Sequence, residues 1–164
     1  MAGEKREFLA NWQTGDREMP ANIRETELSD FEKVIELLRQ LWPDKELSRN
    51  ALLKVFSTCV RSPGNIYLCA EIDGNMIGFC SLVIRENLRV EGLVAHIDEL
   101  IIDEPHRRMG FGAELLDAAV ATAKKRGCKM VELDSAFYRE AAHKFYSKKG
   151  FAKRAYLFSK ELRS

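Results

Sequence analysis

The sequence predicts an α/β domain built on a mixed central β-sheet flanked by helices. Three observations carry that reading. Apolar stripes at helical spacing alternate with short runs rich in β-branched residues. Asp73-Gly74 separates two of those runs, as a tight hairpin turn does. Ala95 to Ser135 reads strand, loop, helix, strand, an order that favours a parallel pair with a right-handed crossover.

The elements follow in order. Residues 1–21 are polar, with isolated Phe8, Leu9 and Trp12, and read as an N-terminal arm, loose or folded as a short helix on a neighbour. Residues 22–164 read as one domain, beginning with a short strand from Asn22 to Thr26. Ser29 and Glu32 have the spacing of a capping box. Phe31, Val34, Ile35, Leu38, Leu41 and Trp42 then form a helical stripe, and Pro43 ends it. Ser48 suits the cap of a second helix, with Ala51, Leu52, Val55, Phe56, Cys59 and Val60 on one face. The turn between these helices joins Trp42 to a proline and the carboxylates of Asp44 and Glu46, which suits the rim of a cleft.

Asn65 to Ile72 and Met76 to Arg85 are the arms of the hairpin, and Ile97 to Ile102 supplies the third strand of an antiparallel meander. Pro105 stops that strand. Leu115, Leu116, Ala119, Val120 and Ala123 recur at helical spacing, and Gly127 stands where a C-terminal cap is expected. Lys129 to Ser135 is the next strand. Arg139 to Lys149 is a helix capped by Gly150, and Phe151 to Arg154 and Tyr156 to Leu162 read as a last pair of strands.

Composition narrows the function. With 26 basic and 25 acidic residues the net charge is +1, so no global field draws the chain to nucleic acid or to an anionic membrane. No apolar run approaches the ~20 residues of a membrane span. The N-terminus lacks a signal-peptide core. Cys59, Cys69, Cys80 and Cys128 have neither paired spacing nor histidines at zinc spacing. They read as free thiols of a cytoplasmic protein, and no metal is expected.

The chemistry concentrates between strand and helix, in Arg107-Arg108-Met109-Gly110-Phe111-Gly112-Ala113. The first amides of a helix have no intrahelical partner, and the helix dipole adds partial positive charge there. Two glycines let an anion approach the backbone, and two arginines add cations. The same residues would also make an ordinary tight turn, but their place between strand and helix favours an anion site. The loop lacks the G-K-[ST] ending of a Walker loop and the three glycines of a dinucleotide fingerprint, which argues against a nucleotide-binding module.

Arg107-x-x-Gly110-x-Gly112 resembles the Q/R-x-x-G-x-G/A signature of the GNAT superfamily of N-acetyltransferases. Ala142-His143-Lys144-Phe145-Tyr146-Ser147-Lys148-Lys149-Gly150-Phe151 is similar to that family's A-x-x-F-Y-x-K-x-G-F segment, in the family's order and at its separation. The resemblance covers Asn22 to Leu162. It departs from the pattern at Arg139, where the family often has Asn three residues before the alanine.

The resemblance implies the GNAT fold, whose parallel strand pair splays at the cofactor site. It implies acetyl-coenzyme A as cofactor, with the pyrophosphate on the Arg107–Ala113 loop. The pantetheine arm would lie along the backbone of Leu100, Ile101 and Ile102, with Arg139 and Phe145 beside it. The reaction implied is direct acetyl transfer to an amine. A primary amine is mostly protonated at pH 7, and neutralising it costs about 4–5 kcal/mol, so a base is useful. Glu99 is the first candidate and Asp98 the second, and strand alternation points them to opposite faces. A backbone N–H near Leu100 would stabilise the oxyanion. Tyr146 would protonate the departing thiolate. His96, His106 and His143 are of a type able to change charge near neutrality, but His106 and His143 sit in cofactor-motif positions that more often serve structure and are not taken as bases.

Trp42 and Asp134 are the expected acceptor contacts, Asp134 closing its strand where a carboxylate meets a cationic amine. Arg107-Arg108, Asp134, Tyr156 to Lys160 and Leu41-Trp42 resemble aminoglycoside 6'-N-acetyltransferases, which often lack a tyrosine at the Tyr146 position. Glu99-Leu100 and the Ala142 to Tyr146 segment resemble aminoalkylphosphonate acetyltransferases, whose phosphonate Arg85, Arg89 or Arg154 would hold. A small-molecule amine is the common expectation. A protein N-acetyltransferase and a non-catalytic acyl-CoA sensor remain open, as does pairing into a homodimer through the sheet edge or the last strands.

Overall fold

The structure is a computed structural model and describes residues 19–162. Of the expected N-terminal arm, residues 1–18 lie outside the described residues; Ala21, which follows, donates its N–H to Glu114 Oε2 at 2.8 Å.

Five strands form one sheet in the order β1-β2-β3-β4-β5. They are β1 (Asn22–Glu25), β2 (Asn65–Ile72), β3 (Asn75–Asn87), β4 (Gly92–Ile102) and β5 (Met130–Leu133). The first four run antiparallel to their neighbours, and β5 lies parallel to β4. The expected meander and parallel pair are therefore present. Asp73 and Gly74 turn β2 into β3 with φ of 49° and 75°, the left-handed pair that a two-residue hairpin requires.

Helices cover both faces. On one face α3 (Phe111–Lys125) packs Leu115, Leu116, Ala119 and Ala123 against Leu68, Cys80, Leu82, Ala95 and Ile97. On the other, α1 (Phe31–Leu41) and α2 (Arg49–Cys59) close over Cys69, Phe79 and Ile101. Burying a leucine such as Leu115 contributes about 1.5–3 kcal/mol, so these two layers fix where the ends of β4 and α3 meet. The last helix, α4 (Glu140–Lys148), follows β5.

Three local expectations change. The capping box forms two residues earlier than expected. Asp30 Oδ2 accepts from the Glu27 N–H at 2.7 Å, while Arg24 binds both Asp30 and Glu71. A single turn of 3-10 helix at Leu28–Asp30 shifts the entry to α1, which displaces Ser29 and Glu32 from the capping positions. In α2, Ser48 caps as expected, accepting from Ala51 N–H at 3.4 Å. Phe56 is the buried anchor there, however, and Ala51 and Val55 face solvent. Only a narrow stripe of the helix, Phe56 with Leu52 and Leu53, meets the core.

The expected strands Phe151–Arg154 and Tyr156–Leu162 do not form. Residues 151–162 carry no regular element, and Phe158 is 91% exposed. Among the described residues the sheet ends at β5, and this segment neither pairs with its edge nor buries a face, so alternation alone cannot make it a strand.

Gly78 sits opposite Ile102, where β3 passes the end of β4. A Cβ there would meet Ile102 Cδ1 at 2.5 Å, Ile101 O at 3.2 Å and Leu115 Cδ2 at 3.3 Å. Gly78→Ala is expected to destabilise the fold by about 1–3 kcal/mol through overpacking, measured by urea unfolding.

Candidate active site

The site arises where the parallel pair stops. Val94 to Ile97 lie beside Met130 to Leu133, and β4 then continues to Ile102 without a β5 partner. The gap is a cleft of about 240 Å³. Leu41 and Trp42 line it from the end of α1, Asp98 and Leu100 from β4, Asp134 from the end of β5, and Arg139 and Tyr146 from the α4 side.

A bulge in β4 decides which side chains face the gap. Leu82 pairs with Ile97 and Ser81 with Glu99, so Asp98 is the extra residue. The expected alternation of Asp98 and Glu99 is broken there. Asp98 Oδ1 lies 2.9 Å from His96 Nδ1, two residues back on the same face. Glu99 reaches Ser81, which lies opposite it on β3, on the face of Phe79 and Ile101. Both carboxylates therefore share the α1 side of the sheet, a correction to the opposite-face expectation. Across the gap His96 Nε2 lies 3.1 Å from Asp134 Oδ2, so one imidazole bridges the two strands.

The electrostatics differ along this cluster. Burial pushes the Glu99 carboxyl above the usual carboxylate range, and Asp98 adds to the rise against the lowering hydrogen bond from Ser81. Ser81 Oγ donates to Glu99 Oε2 and accepts from the Glu99 N–H at 3.1 Å, which fixes the side chain. The Asp98 hydrogen bond, with Asp134 helping, holds His96 above its ordinary range despite partial burial. Burial likewise raises the Tyr146 phenol, which packs edge-on to Phe151 with ring centroids 5.9 Å apart.

Trp42 forms one wall, with the Lys45 ammonium 5.3 Å from its ring centroid. Arg139 Nη2 donates to Leu41 O at 2.7 Å, closing α1 against the start of α4. Arg139 thus acts as a strut as well as a cleft residue.

The glycine loop begins where β4 ends. Arg108 and Gly110 both take left-handed backbone, φ 62° and 88°, and Gly110 caps α3, its carbonyl accepting from Ala113 N–H at 3.0 Å. Successive turns of this kind make a concave main-chain surface suited to an anion. A non-glycine residue in that conformation is strained, and Arg108 holds it at the mouth of the loop. Gly112 meets no protein atom closer than 3.6 Å where a Cβ would stand, so protein packing alone does not demand a glycine there. Phe111 is buried in the core and anchors the helix start. Arg107 is placed otherwise than as a free cation: Nε donates to Ile102 O at 2.9 Å and Nη2 to Gln40 Oε1 at 3.1 Å. Met109 packs against the α3 core, and Phe145 against the same cluster from α4.

Sequence reasoning missed His96, Ser81 and Gln40 as members of this arrangement. Gln40 ties α1 to the loop, donating to Asp103 Oδ1 at 2.7 Å and accepting from Glu104 N–H at 3.0 Å. No periodicity marks a bulge, and without it neither His96 nor Ser81 has a visible partner. Among the described residues no cluster capable of holding a metal forms, and no helix is long and apolar enough to cross a membrane.

Known proteins resemble this chain in sequence and fold. The model of the Acetyltransferase (GNAT) family matches residues 23–151. An aminoalkylphosphonate N-acetyltransferase of Salmonella typhimurium is 28% identical over 140 residues, 85% of this chain and 90% of that protein. A glucosamine 6-phosphate N-acetyltransferase of Trypanosoma brucei brucei is 30% identical over 132 residues, 79% of this chain and 87% of that protein. Among solved structures, an aminoglycoside N-acetyltransferase in complex with CoA superposes with a TM-score of 0.78 at 20% identity, covering 92% of this chain and 100% of that one, a likeness of fold.

The raised Glu99 carboxyl has a consequence for stability. The folded protein keeps Glu99 protonated to higher pH than the unfolded chain does, so its contribution is full below the unfolded value near 4.3 and is lost as pH rises through the folded value. Glu99→Gln retains an acceptor for Ser81 and removes the buried charge. The variant is expected to be more stable than the parent at pH 7 and equal to it at pH 4, read by urea midpoints at both pH values.

Proposed function

Since the chain belongs to the acetyltransferase (GNAT) family, we propose that it moves an acetyl group from acetyl-coenzyme A directly to a primary amine of a small molecule. The observation that carries this reading is the gap between β4 and β5, with carboxylates on one wall and a half-buried tyrosine on the other.

The residues suit the cofactor. The left-handed turns at Arg108 and Gly110, and the space left at Gly112, provide main-chain donors and room for a diphosphate between Arg107 and Ala113. The unpaired edge of Leu100, Ile101 and Ile102 offers backbone groups to the pantetheine arm, with Arg139 and Phe145 beside it. Bound there, acetyl-coenzyme A supplies an activated acyl thioester.

Glu99 takes the proton of the acceptor amine, directly or through a water. Its burial raises its basicity toward the operating pH, and its Ser81 bond keeps it in place. Asp98 is the second candidate, since it lines the cleft itself. A backbone N–H near Leu100 stabilises the oxyanion. Tyr146 holds a proton at Oη for the departing sulfur, and burial keeps that phenol protonated at neutral pH. Trp42 and Asp134 contact the acceptor.

A small amine fits the relatives, whose names specify an aminoalkylphosphonate and glucosamine 6-phosphate. The Asp98 and Asp134 carboxylates suit its cationic form. Four free cysteines agree with a cytoplasmic location.

Acetyl-coenzyme A at a hundred times its Kd is expected to stabilise the fold by about 2.7 kcal/mol, a rise of about 5–10 °C in melting temperature. ATP and NAD should leave the melting temperature unchanged, and an equal response to ATP would favour a nucleotide module. 2-Aminoethylphosphonate, glucosamine 6-phosphate and sisomicin form the first acceptor panel, with free coenzyme A as the readout. Release with none of a wider amine panel would favour a sensor. Tyr146→Phe should lower kcat about 100-fold and leave the acetyl-coenzyme A shift intact.

A further inference from the structure

His96 has no part in the chemistry just described, yet it touches both carboxylates of the acceptor wall. Its Nδ1 lies 2.9 Å from Asp98 Oδ1 and its Nε2 lies 3.1 Å from Asp134 Oδ2. The two aspartates come from the two sides of the gap, one on the β4 bulge and one just past β5, at the point where the strands part. An imidazole bonded to two carboxylates through both nitrogens needs a proton on each, so the geometry itself selects the imidazolium.

We propose that His96 is a resident substitute for the acceptor's charge: as imidazolium it bridges Asp98 and Asp134 in the free protein, and an arriving ammonium takes its place between them while His96 releases one proton to solvent. This rests on the acetyl-transfer reading of the same cleft. One N–H bond of the imidazolium breaks, its electron pair stays on the ring and the proton passes to buffer. The ammonium enters with its own protons, so the net charge of the cluster is unchanged. A neutral isostere of the acceptor brings no charge to replace the one lost, and so cannot release the clamp.

The surroundings agree with this exchange. On β4, Asp98 and Glu99 face the ring. On β5, Glu132 lies beside His96 in register, but Arg85 of β3 holds it at 2.8 Å and Arg89 approaches it at 3.7 Å, so it does not compete for the imidazolium. Lys45, from the turn after α1, acts on Glu99, and Tyr67 of β2 adds a neutral phenol behind the carboxylates. The direction of the His96 shift, upward with the Asp98 hydrogen bond as its first cause, agrees with the two-carboxylate geometry.

The test follows the His96 ring by NMR in the full chain at pH 7, its signal assigned by its loss in His96→Gln. 2-Aminoethylphosphonate, glucosamine 6-phosphate and sisomicin are added in turn, and coenzyme A release is measured in parallel from pH 6 to 9. The expected result is a His96 signal that moves from its protonated to its neutral position as one amine saturates. KM for that amine falls about tenfold per pH unit below the His96 pKa, kcat does not follow, and His96→Gln flattens the KM limb. A His96 signal that stays protonated at saturating amine while coenzyme A is released overturns the exchange and leaves acetyl transfer standing. A signal that moves without any release supports the exchange and counts against acetyl transfer to the amine that moved it. Neither movement nor release with the three amines overturns the exchange and counts against acetyl transfer to this panel.

Discussion

The site depends on one constraint: a parallel strand pair that stops pairing at Ile97 while one of its members runs on. A backbone edge left without a partner is costly when buried and a docking surface when open. Here β4 keeps its β3 bonds through Ile102 and leaves its other edge to the cleft. Two packed layers prevent the gap from closing. The α3 core pins the near end of β4, and α1 with Trp42 stands across the opening. The bulge at Asp98 acts within that frame. One extra residue rotates two consecutive carboxylates onto one face, where a regular strand would separate them.

The C-terminal end of α1 joins the two halves of the site. Gln40 binds Asp103, the Glu104 amide and Arg107 on the loop side, and the next carbonyl, Leu41 O, binds Arg139 on the α4 side. Trp42 follows in the cleft wall. Loop, acceptor wall and last helix are therefore indexed to a single helical turn. Arg107 belongs to this scaffold. With Ile102 O and Gln40 Oε1 as its partners, its guanidinium orients the loop, while the backbone turns at Arg108 and Gly110 present the concave surface.

Much of this was legible in the sequence, for physical reasons. Long apolar stripes such as Leu115 to Ala123 have few alternatives to a buried helix, and Asp73-Gly74 has few alternatives to a tight turn. The glycine loop showed itself because left-handed backbone and close approach leave a compositional trace. The failures share a cause, which is dependence on a neighbour. Tyr156 to Leu162 has the composition of a strand, yet it does not pair with the edge that β5 leaves open. Ser29 and Glu32 have the spacing of a cap, yet Arg24 on another element recruits Asp30 and Glu71 and so settles the helix entry elsewhere. The pairing of His96 with Asp134 spans two strands and a bulge, and local spacing carries no record of either.

Burial raises both Glu99 and Tyr146, and in the proposed reaction the same cause serves opposite roles. A carboxyl moved upward becomes a better proton acceptor near neutrality, while a phenol moved upward is more firmly neutral and keeps a proton to give. Both effects require that water be kept from these groups, and the packing that does so is separate in each case. Glu99 lies beneath the α1 side of the sheet with Ser81, whereas Tyr146 lies against Phe145 and Phe151. Asp98 and Asp134 at the open mouth keep their exposure, which the proposed meeting with a solvated cation requires. The cleft therefore runs from an exposed, charged entrance at Asp98 and Asp134 to half-buried groups at Glu99 and Tyr146, and the bulge at Asp98 marks the boundary between them.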